Sequence, residues 1–304
     1  MNKAIEISEV SKNYGDIHAL DRVSFSVEQG ELFGLIGPDG AGKSSLYRII
    51  ATLAAPDSGT ATVNGMDVVR DYKKLRTRIG YMPEKFSLYH DMTVAENMAF
   101  FASLFGVSVK ENYDLIAPVF SQLEKFPDRM AGALSGGMKQ KLALSCALIH
   151  RPEVLLLDEP TTGVDAVSRS EFWDMLATLR EKGITILVST SYMDEATRCE
   201  RIAMINNGRI LAVDTPSALI NGLDENLYNA VATDMFGLLS RLRSNPDVID
   251  CYTFGATLHV VGNDNFSAGR VEATLKKSGM DDVRIYPATG NIEDLFIKQI
   301  RDGK

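Results

Sequence analysis

The chain has 304 residues, 45% hydrophobic and 24% charged, enough for two domains with packed cores. Its 40 acidic side chains outnumber the 32 basic ones, and the net charge of −8 argues against a nucleic-acid partner. Cys146, Cys199 and Cys251 form neither a disulfide framework nor a metal-ligand spacing, and no apolar run reaches the roughly 18–20 residues of a membrane helix, so a soluble chain in a reducing cytosol is expected.

The chain begins without the apolar core of a signal peptide. Ala4–Val10 alternates, and Ile17–Val27 places apolar residues at Val23, Phe25 and Val27, so both read as strands. Leu32–Ile36 is a buried strand entering a glycine-rich loop, and a helix is expected over Ser44–Leu53. Asn64-Gly65, between Thr60–Val63 and Met66–Val69, signals a hairpin. From about Glu84 to Arg151 the pattern is helical. Thr93 and Glu96 make a capping box, Val94, Met98, Phe101 and Phe105 an apolar stripe, and Gly106 a stop. Alternation then resumes with strands at Val154–Asp158 and Ile184–Ser189 and helices at Val167–Lys182 and Met193–Glu200. Asn207-Gly208 marks a second hairpin between Ile202–Ile205 and Arg209–Val213. Apolar strands alternating with helices predict a parallel α/β sheet. Beyond Gly222 a β-α-β-β-α-β order predicts a small ferredoxin-like module closed by a helix at Ile292–Ile300.

Gly37-Pro38-Asp39-Gly40-Ala41-Gly42-Lys43-Ser44 fits G-x-x-x-x-G-K-[ST] and continues into Ser45. It lies between a predicted strand and a predicted helix, as a polyphosphate-binding loop requires. The glycines let backbone N–H groups turn toward phosphates, and the helix N-terminus adds its dipole. Lys43 reaches the β- and γ-phosphates, and the Ser44 hydroxyl suits Mg²⁺.

Leu134-Ser135-Gly136-Gly137-Met138-Lys139-Gln140 opens a helix in which Ser135 and two glycines make an open anion site. This segment resembles the signature motif of the ABC ATPases, which presents its serine and glycine amides to ATP held by the opposite subunit. Val154-Leu155-Leu156-Leu157-Asp158-Glu159 resembles the Walker B strand of that family. The resemblance implies that Asp158 holds Mg²⁺ and that Glu159 is the general base for the attacking water. Thr161-Thr162-Gly163-Val164-Asp165 resembles the D-loop, with Asp165 crossing a dimer interface. Tyr14 stands where the family stacks an aromatic on adenine, the competing reading being a strand aromatic packed on the core.

Two positions depart from the family pattern. Glu84 replaces the glutamine that touches Mg²⁺ and the attacking water; it retains metal-binding capacity and adds negative charge. Ser191 replaces the histidine that contacts the γ-phosphate. Its hydroxyl donates but never becomes cationic, and losing one preorganised donor costs on the order of 10²–10³ in rate. None of His18, His90, His150 and His259 stands in for it; all four read as structural or exposed. A weakly hydrolysing site paired with a second ABC ATPase subunit is therefore expected. The heterodimer is favoured over a homodimer of slow sites and over a water substituting for the histidine.

The resemblance implies a P-loop NTPase fold of the ABC type: an α/β domain over 1–223 with an antiparallel layer and a helical subdomain over about 85–151. A small α+β accessory domain over 224–304 follows. It implies ATP and Mg²⁺, transmembrane permease subunits as partners, no nucleic acid, and a peripheral cytoplasmic location on the inner face of the cell membrane. The stretch Phe86-Ser87-Leu88-Tyr89-His90 corresponds to the groove that receives a helix of the membrane subunit, with local core packing as the alternative. Arg70, Lys73, Lys74, Arg76 and Arg78 read first as a solvated helix face and second as a headgroup-facing patch. Asn291–Ile297 resembles the close of subunits serving ABC-2-type exporters. An ATP-dependent clamp that does not drive transport is the alternative function. A soluble ABC protein acting on DNA or ribosomes is disfavoured by the charge and by the lack of coiled coils, zinc sites or a second ATPase domain.

Overall fold

The computed structural model describes residues 2–85, 87–223 and 225–303, which fall into two compact units, Met1–Pro216 and Ser217–Lys304. The division lies ahead of the 223/224 boundary expected from the sequence, because the short helix Pro216–Asn221 groups mainly with the second unit.

The first unit runs β1 (Lys3–Tyr14), β2 (Ile17–Glu28), β3 (Leu32–Ile36), α1 (Lys43–Ile50), β4 (Ser58–Val63), β5 (Met66–Asp67), α2 (Tyr72–Leu75) and β6 (Ile79–Met82). It continues with α3 (Val94–Leu104), α4 (Tyr113–Phe120), α5 (Gly136–Leu148), β7 (Val154–Asp158), α6 (Ala166–Glu181), β8 (Thr185–Thr190), β9 (Arg201–Asn206) and β10 (Arg209–Asp214). One sheet has the order β2-β1-β4-β5 and is antiparallel throughout. The other has the order β10-β9-β3-β8-β7-β6 and is parallel except for β10.

Every residue of β3 and β7 is buried, as expected for central parallel strands covered on both faces. Apolar side chains from the two sheets and α1 share one core, among them Ile5, Val23, Phe33, Leu46, Ile49 and Leu156. Each such side chain, fully buried, contributes about 1.5–3 kcal/mol of transfer free energy. The α3 capping box forms as expected: Thr93 Oγ1 accepts from Glu96 N–H, and the Glu96 carboxylate accepts from Thr93 N–H. Strand β5 is shorter than predicted, because the Asp67 carboxylate accepts from the N–H groups of Val69 and Arg70 and turns the chain. The helix predicted at Met193–Glu200 is a 3₁₀ segment, Met193–Arg198.

The second unit contains α7 (Pro216–Asn221), β11 (Asn226–Val231), α8 (Met235–Arg243), β12 (Val248–Phe254), β13 (Thr257–Gly262), α9 (Ala268–Lys277), β14 (Arg284–Pro287) and α10 (Ile292–Asp302). Its antiparallel sheet has the order β12-β13-β11-β14, the split β-α-β arrangement of a ferredoxin-like module. Leu238 and Leu242 of α8 and Val271 and Leu275 of α9 pack in a core with Ala230, Leu258 and Val260 of the sheet. Among the described residues no helix is long and apolar enough to cross a membrane.

Candidate functional site

The ends of β3, β7 and β8 are adjacent in the parallel sheet, and the loops leaving them converge. The loop after β3 closes tightly on its surroundings. A Cβ at Gly37 would collide with the carbonyl oxygen of Ile205, and one at Gly42 with that of Ala19; Gly42 also has a φ of 106°. Only glycine fits at these two positions. Lys43 folds back along the loop, and its Nζ donates to the carbonyl oxygens of Gly37 at 2.5 Å and Pro38 at 2.9 Å.

The same ammonium lies 2.9 Å from Glu159 Oε1, with both side chains almost wholly buried. This is an ion-pair contact without hydrogen-bond alignment, since Oε1 has no hydrogen-bond partner. The other oxygen, Oε2, accepts from Thr162 Oγ1 at 3.1 Å, Ser191 N–H at 3.1 Å and Ser191 Oγ at 3.4 Å. Glu159 has a φ of 50°, a left-handed conformation uncommon outside glycine. Its N–H donates to Ser189 Oγ at 2.9 Å, and Ser189 Oγ donates to Asp158 Oδ1 at 2.8 Å. Ser189 thus bridges the two carboxylate residues. It faces Asp158 through the register of β7 against β8, and its place in the site had no signal in the sequence.

Burial raises the Asp158 carboxyl above its ordinary value. Hydrogen bonds from Ser189 and Ser44 oppose the shift, and the charges of Glu159 and Glu84 add to it. Burial, helped by Asp158, also holds the Tyr47 phenol well above its ordinary range.

A cavity of 690 Å³ opens beside this cluster, within the range of small-molecule sites. Tyr14, Asp39, Gly40, Gly42, Lys43, Ser44, Ser45, Glu84 and Glu159 all line it. Gly37 and Pro38 do not line it but hold Lys43 through their carbonyls, and Ala41 of the same loop is buried. His18, expected to be structural or exposed, and Asn207, expected only as a hairpin turn, also line the cavity; both come from hairpins brought over the loop by tertiary packing. Tyr14 is 41% exposed at the rim, with Lys12 Nζ 5.6 Å from its ring centre, so it is not a core aromatic.

Ser135, Gly136, Gly137 and Asp165 are not part of this cavity. The two segments they belong to lie side by side, a Cβ on Gly136 falling 3.4 Å from the carbonyl oxygen of Gly163. Ser135 caps α5 by accepting from Met138 N–H at 3.3 Å, and Asp165 caps α6 by accepting from Ser168 N–H at 3.0 Å. Gly137 is held against Ser168, where a Cβ would come within 2.8 Å of Oγ. Ser135, Gly136 and Asp165 are exposed.

A further cavity, of 360 Å³, is mainly apolar and is lined by Met82, Ser87, Leu88, Phe101, Phe105 and neighbouring residues. Leu88 is buried and Tyr89 exposed; Phe86 lies outside the described residues. In the basic cluster, Arg76 donates to the hydroxyl and carbonyl of Thr52, and Arg78 lies 3.3 Å from Glu153.

The donor set at the carboxylate cluster is oxygen only: the Ser44 hydroxyl and the carboxylates of Asp158 and Glu84. Among the described residues no three or more His, Cys, Asp or Glu side chains are gathered to hold a metal ion by themselves. That set fits Mg²⁺, which takes one or two carboxylates with substrate phosphates and water rather than a protein cage.

A lysine-tipped glycine loop, a carboxylate pair at a strand end and a capped Ser-Gly-Gly helix start together define a nucleotide-binding ATPase cassette. The family model described as ABC transporter matches residues 20–162. Over 302 residues the chain is 38% identical to Nod factor export ATP-binding protein I of Sinorhizobium fredii, covering 97% of this chain and 85% of that protein. Over 217 residues it is 42% identical to the probable multidrug ABC transporter ATP-binding protein YbhF of Escherichia coli, covering 71% of this chain but only 38% of that protein. The dimeric structure of MJ0796, a bacterial ABC transporter cassette, superposes with a TM-score of 0.63 at 27% identity, over 69% of this chain and 98% of that one. The chain belongs to the ATP-binding subunits of ABC transporters.

Proposed function

We propose that this chain binds and hydrolyses Mg·ATP to drive an ABC-2-type exporter, working as a peripheral subunit on the inner face of the cell membrane beneath transmembrane permease subunits. The observation that carries this reading is the Lys43–Glu159–Asp158 cluster opening on the 690 Å³ cavity, with the Ser135–Gly136–Asp165 surface left outside it. A chain that holds one half of the machinery in a cavity and the other on an exposed face is suited to head-to-tail pairing. The export direction is supported by the relative that serves Nod factor export, and a multidrug transporter among the relatives accords with it.

The residues take these roles. The loop amides and Lys43 bind the polyphosphate, and Tyr14 stacks on the base. Ser44 and Asp158, with Glu84, would hold Mg²⁺, which when bound neutralises charge on the β- and γ-phosphates. Phosphate arriving at Lys43 competes with Glu159 for the ammonium. Glu159, released from the ion pair, takes a proton from the attacking water. Ser135 and the amides of Gly136 and Gly137 complete the site of a second subunit, and Asp165 lies at that interface. The apolar 360 Å³ groove receives a permease helix.

Ser191 makes this chain's own site slow. Both its N–H and its hydroxyl are directed at Glu159, and it has no cationic form to set against developing phosphate charge. A heterodimer with a second ATPase bearing the usual histidine is the assembly this favours. The test is ATP turnover by the isolated protein beside Ser191→His and Lys43→Ala. Wild type should be slow, Ser191→His faster by up to the roughly 10²–10³-fold that one donor is worth, and Lys43→Ala unable to take up nucleotide. A fast wild type indifferent to Ser191→His refutes the slow site; unchanged uptake by Lys43→Ala refutes the nucleotide reading. An ATP-dependent clamp rests on the same serine, and failure to co-purify with membrane subunits would favour it.

A further inference from the structure

Glu195 has no part in the chemistry above, yet its carboxylate is buried, 5% exposed, in the 3₁₀ segment after β8. A buried carboxylate persists only when neighbouring groups satisfy it. Its Oε2 accepts from Thr190 Oγ1 at 2.6 Å and from Thr161 Oγ1 at 3.1 Å. Thr190 immediately precedes Ser191, and Thr161 stands one proline beyond Glu159. Thr190 Oγ1 also accepts from Tyr192 N–H at 3.0 Å. A single oxygen therefore ties together the two loops from which Glu159 and Ser191 meet.

The second oxygen is only half satisfied. Oε1 is buried without a hydrogen-bond partner and faces Arg169 Nη1 at 4.0 Å. Arg169 is in α6, one turn beyond its cap Asp165, and its guanidinium lies 4.6 Å from the Tyr192 ring centre. Glu195 and Arg169 line a 120 Å³ cavity with Arg198 and Trp173, the single tryptophan of the chain. The indole Nε1 of Trp173 is likewise buried without a partner. These loose contacts leave room for the carboxylate to move against Arg169 when either threonine shifts. A side chain that only plugged the core would need neither two threonine hydroxyls converging on one oxygen nor a cation held just beyond hydrogen-bond range.

We propose that Glu195 is a positioning residue that fixes the spacing of Glu159 and Ser191 and transmits the state of the nucleotide site to α6, the helix that Asp165 caps. The inference rests on the ATP-hydrolysing reading above, and the test separates the two. The full-length chain is titrated with Mg·ATP while binding is followed by calorimetry and Trp173 emission is recorded; steady-state turnover is measured alongside. Wild-type emission shifts on binding. Glu195→Ala binds within about 3-fold of wild type, loses the emission shift and loses at least about 10-fold in kcat with KM nearly unchanged. Glu195→Gln keeps an oxygen that accepts from both hydroxyls and restores kcat to within about 3-fold. Thr161→Val, which removes one donor at nearly constant volume, gives a partial loss of the same kind should Glu195→Ala not fold.

The proposal is overturned if Glu195→Ala keeps both the emission shift and kcat, if wild-type emission ignores bound Mg·ATP, or if binding falls in step with kcat, the mark of a purely structural residue. A wild type that shows no calorimetric binding instead refutes the nucleotide reading, and this inference with it.

Discussion

Glu159 in the first unit and Asp294 in the second are both buried carboxylates, and their surroundings differ in kind. Asp294 is 0% exposed and fully engaged: Oδ1 accepts from Tyr252 OH at 2.8 Å and pairs with His259 Nδ1 at 2.6 Å, while Oδ2 accepts from Asn291 N–H at 2.8 Å. It closes the capping box of α10 and ties that helix to β12 and β13. Phe254 stacks on the His259 ring at 4.1 Å. Glu159 has an ion-pair contact with no hydrogen bond on Oε1, a left-handed backbone and a 690 Å³ cavity at its side. A satisfied network specifies packing, whereas one with spare capacity beside a cavity is available for chemistry.

The comparison predicts opposite consequences for the two residues. Glu159→Gln should lower kcat by on the order of 10²–10⁴, the usual worth of a general base, while Mg·ATP still binds and the urea midpoint falls less than for Asp294→Ala, since the amide keeps the side chain's shape and Lys43 keeps two carbonyl acceptors. Asp294→Ala should do the reverse. It strands His259 and opens the α10 cap, so the second unit should lose about 3–5 kcal/mol in denaturant unfolding while nucleotide binding persists. Equal destabilisation by the two substitutions would erase the distinction.

Asp158 supplies the smallest effect. Because burial raises its carboxyl, the folded chain binds that proton more tightly than the unfolded chain, and stability from this group falls as pH rises from the unfolded value of 3.8 through the folded one. Asp158→Asn should therefore melt higher than wild type at neutral pH, the gap closing as pH falls below 3.8, though it no longer turns over ATP. A lower melting point at pH 7 would show that the ionised carboxylate stabilises the fold.

Much of this was legible locally. The Thr93–Glu96 box is a contact over three residues, and Asn64-Gly65 and Asn207-Gly208 adopt the positive φ angles their types favour. The polyphosphate loop, the apolar strand ending in Asp158-Glu159 and the Ser-Gly-Gly helix start are each contiguous, so spacing exposes them. The helix Tyr113–Phe120 was not singled out, since it carries Pro118 within it and is short. Ser189 and Glu195 gave no signal, because a serine in a strand and a glutamate beyond it are ordinary until β8 is set beside β7 and Thr161 and Thr190 converge on the carboxylate.

By itself the sequence determined the kind of chemistry, because backbone amides, a lysine and a strand-end carboxylate need only short-range order to be recognisable. It also placed a serine, not a histidine, at position 191. Tertiary structure alone decided that Lys43 meets Glu159, that Ser189 joins Asp158 to Glu159, and that the partner of His259 is Asp294. Those pairings join residues far apart in the chain. They are set by strand register and packing, so no local preference for helix, turn or strand encodes them.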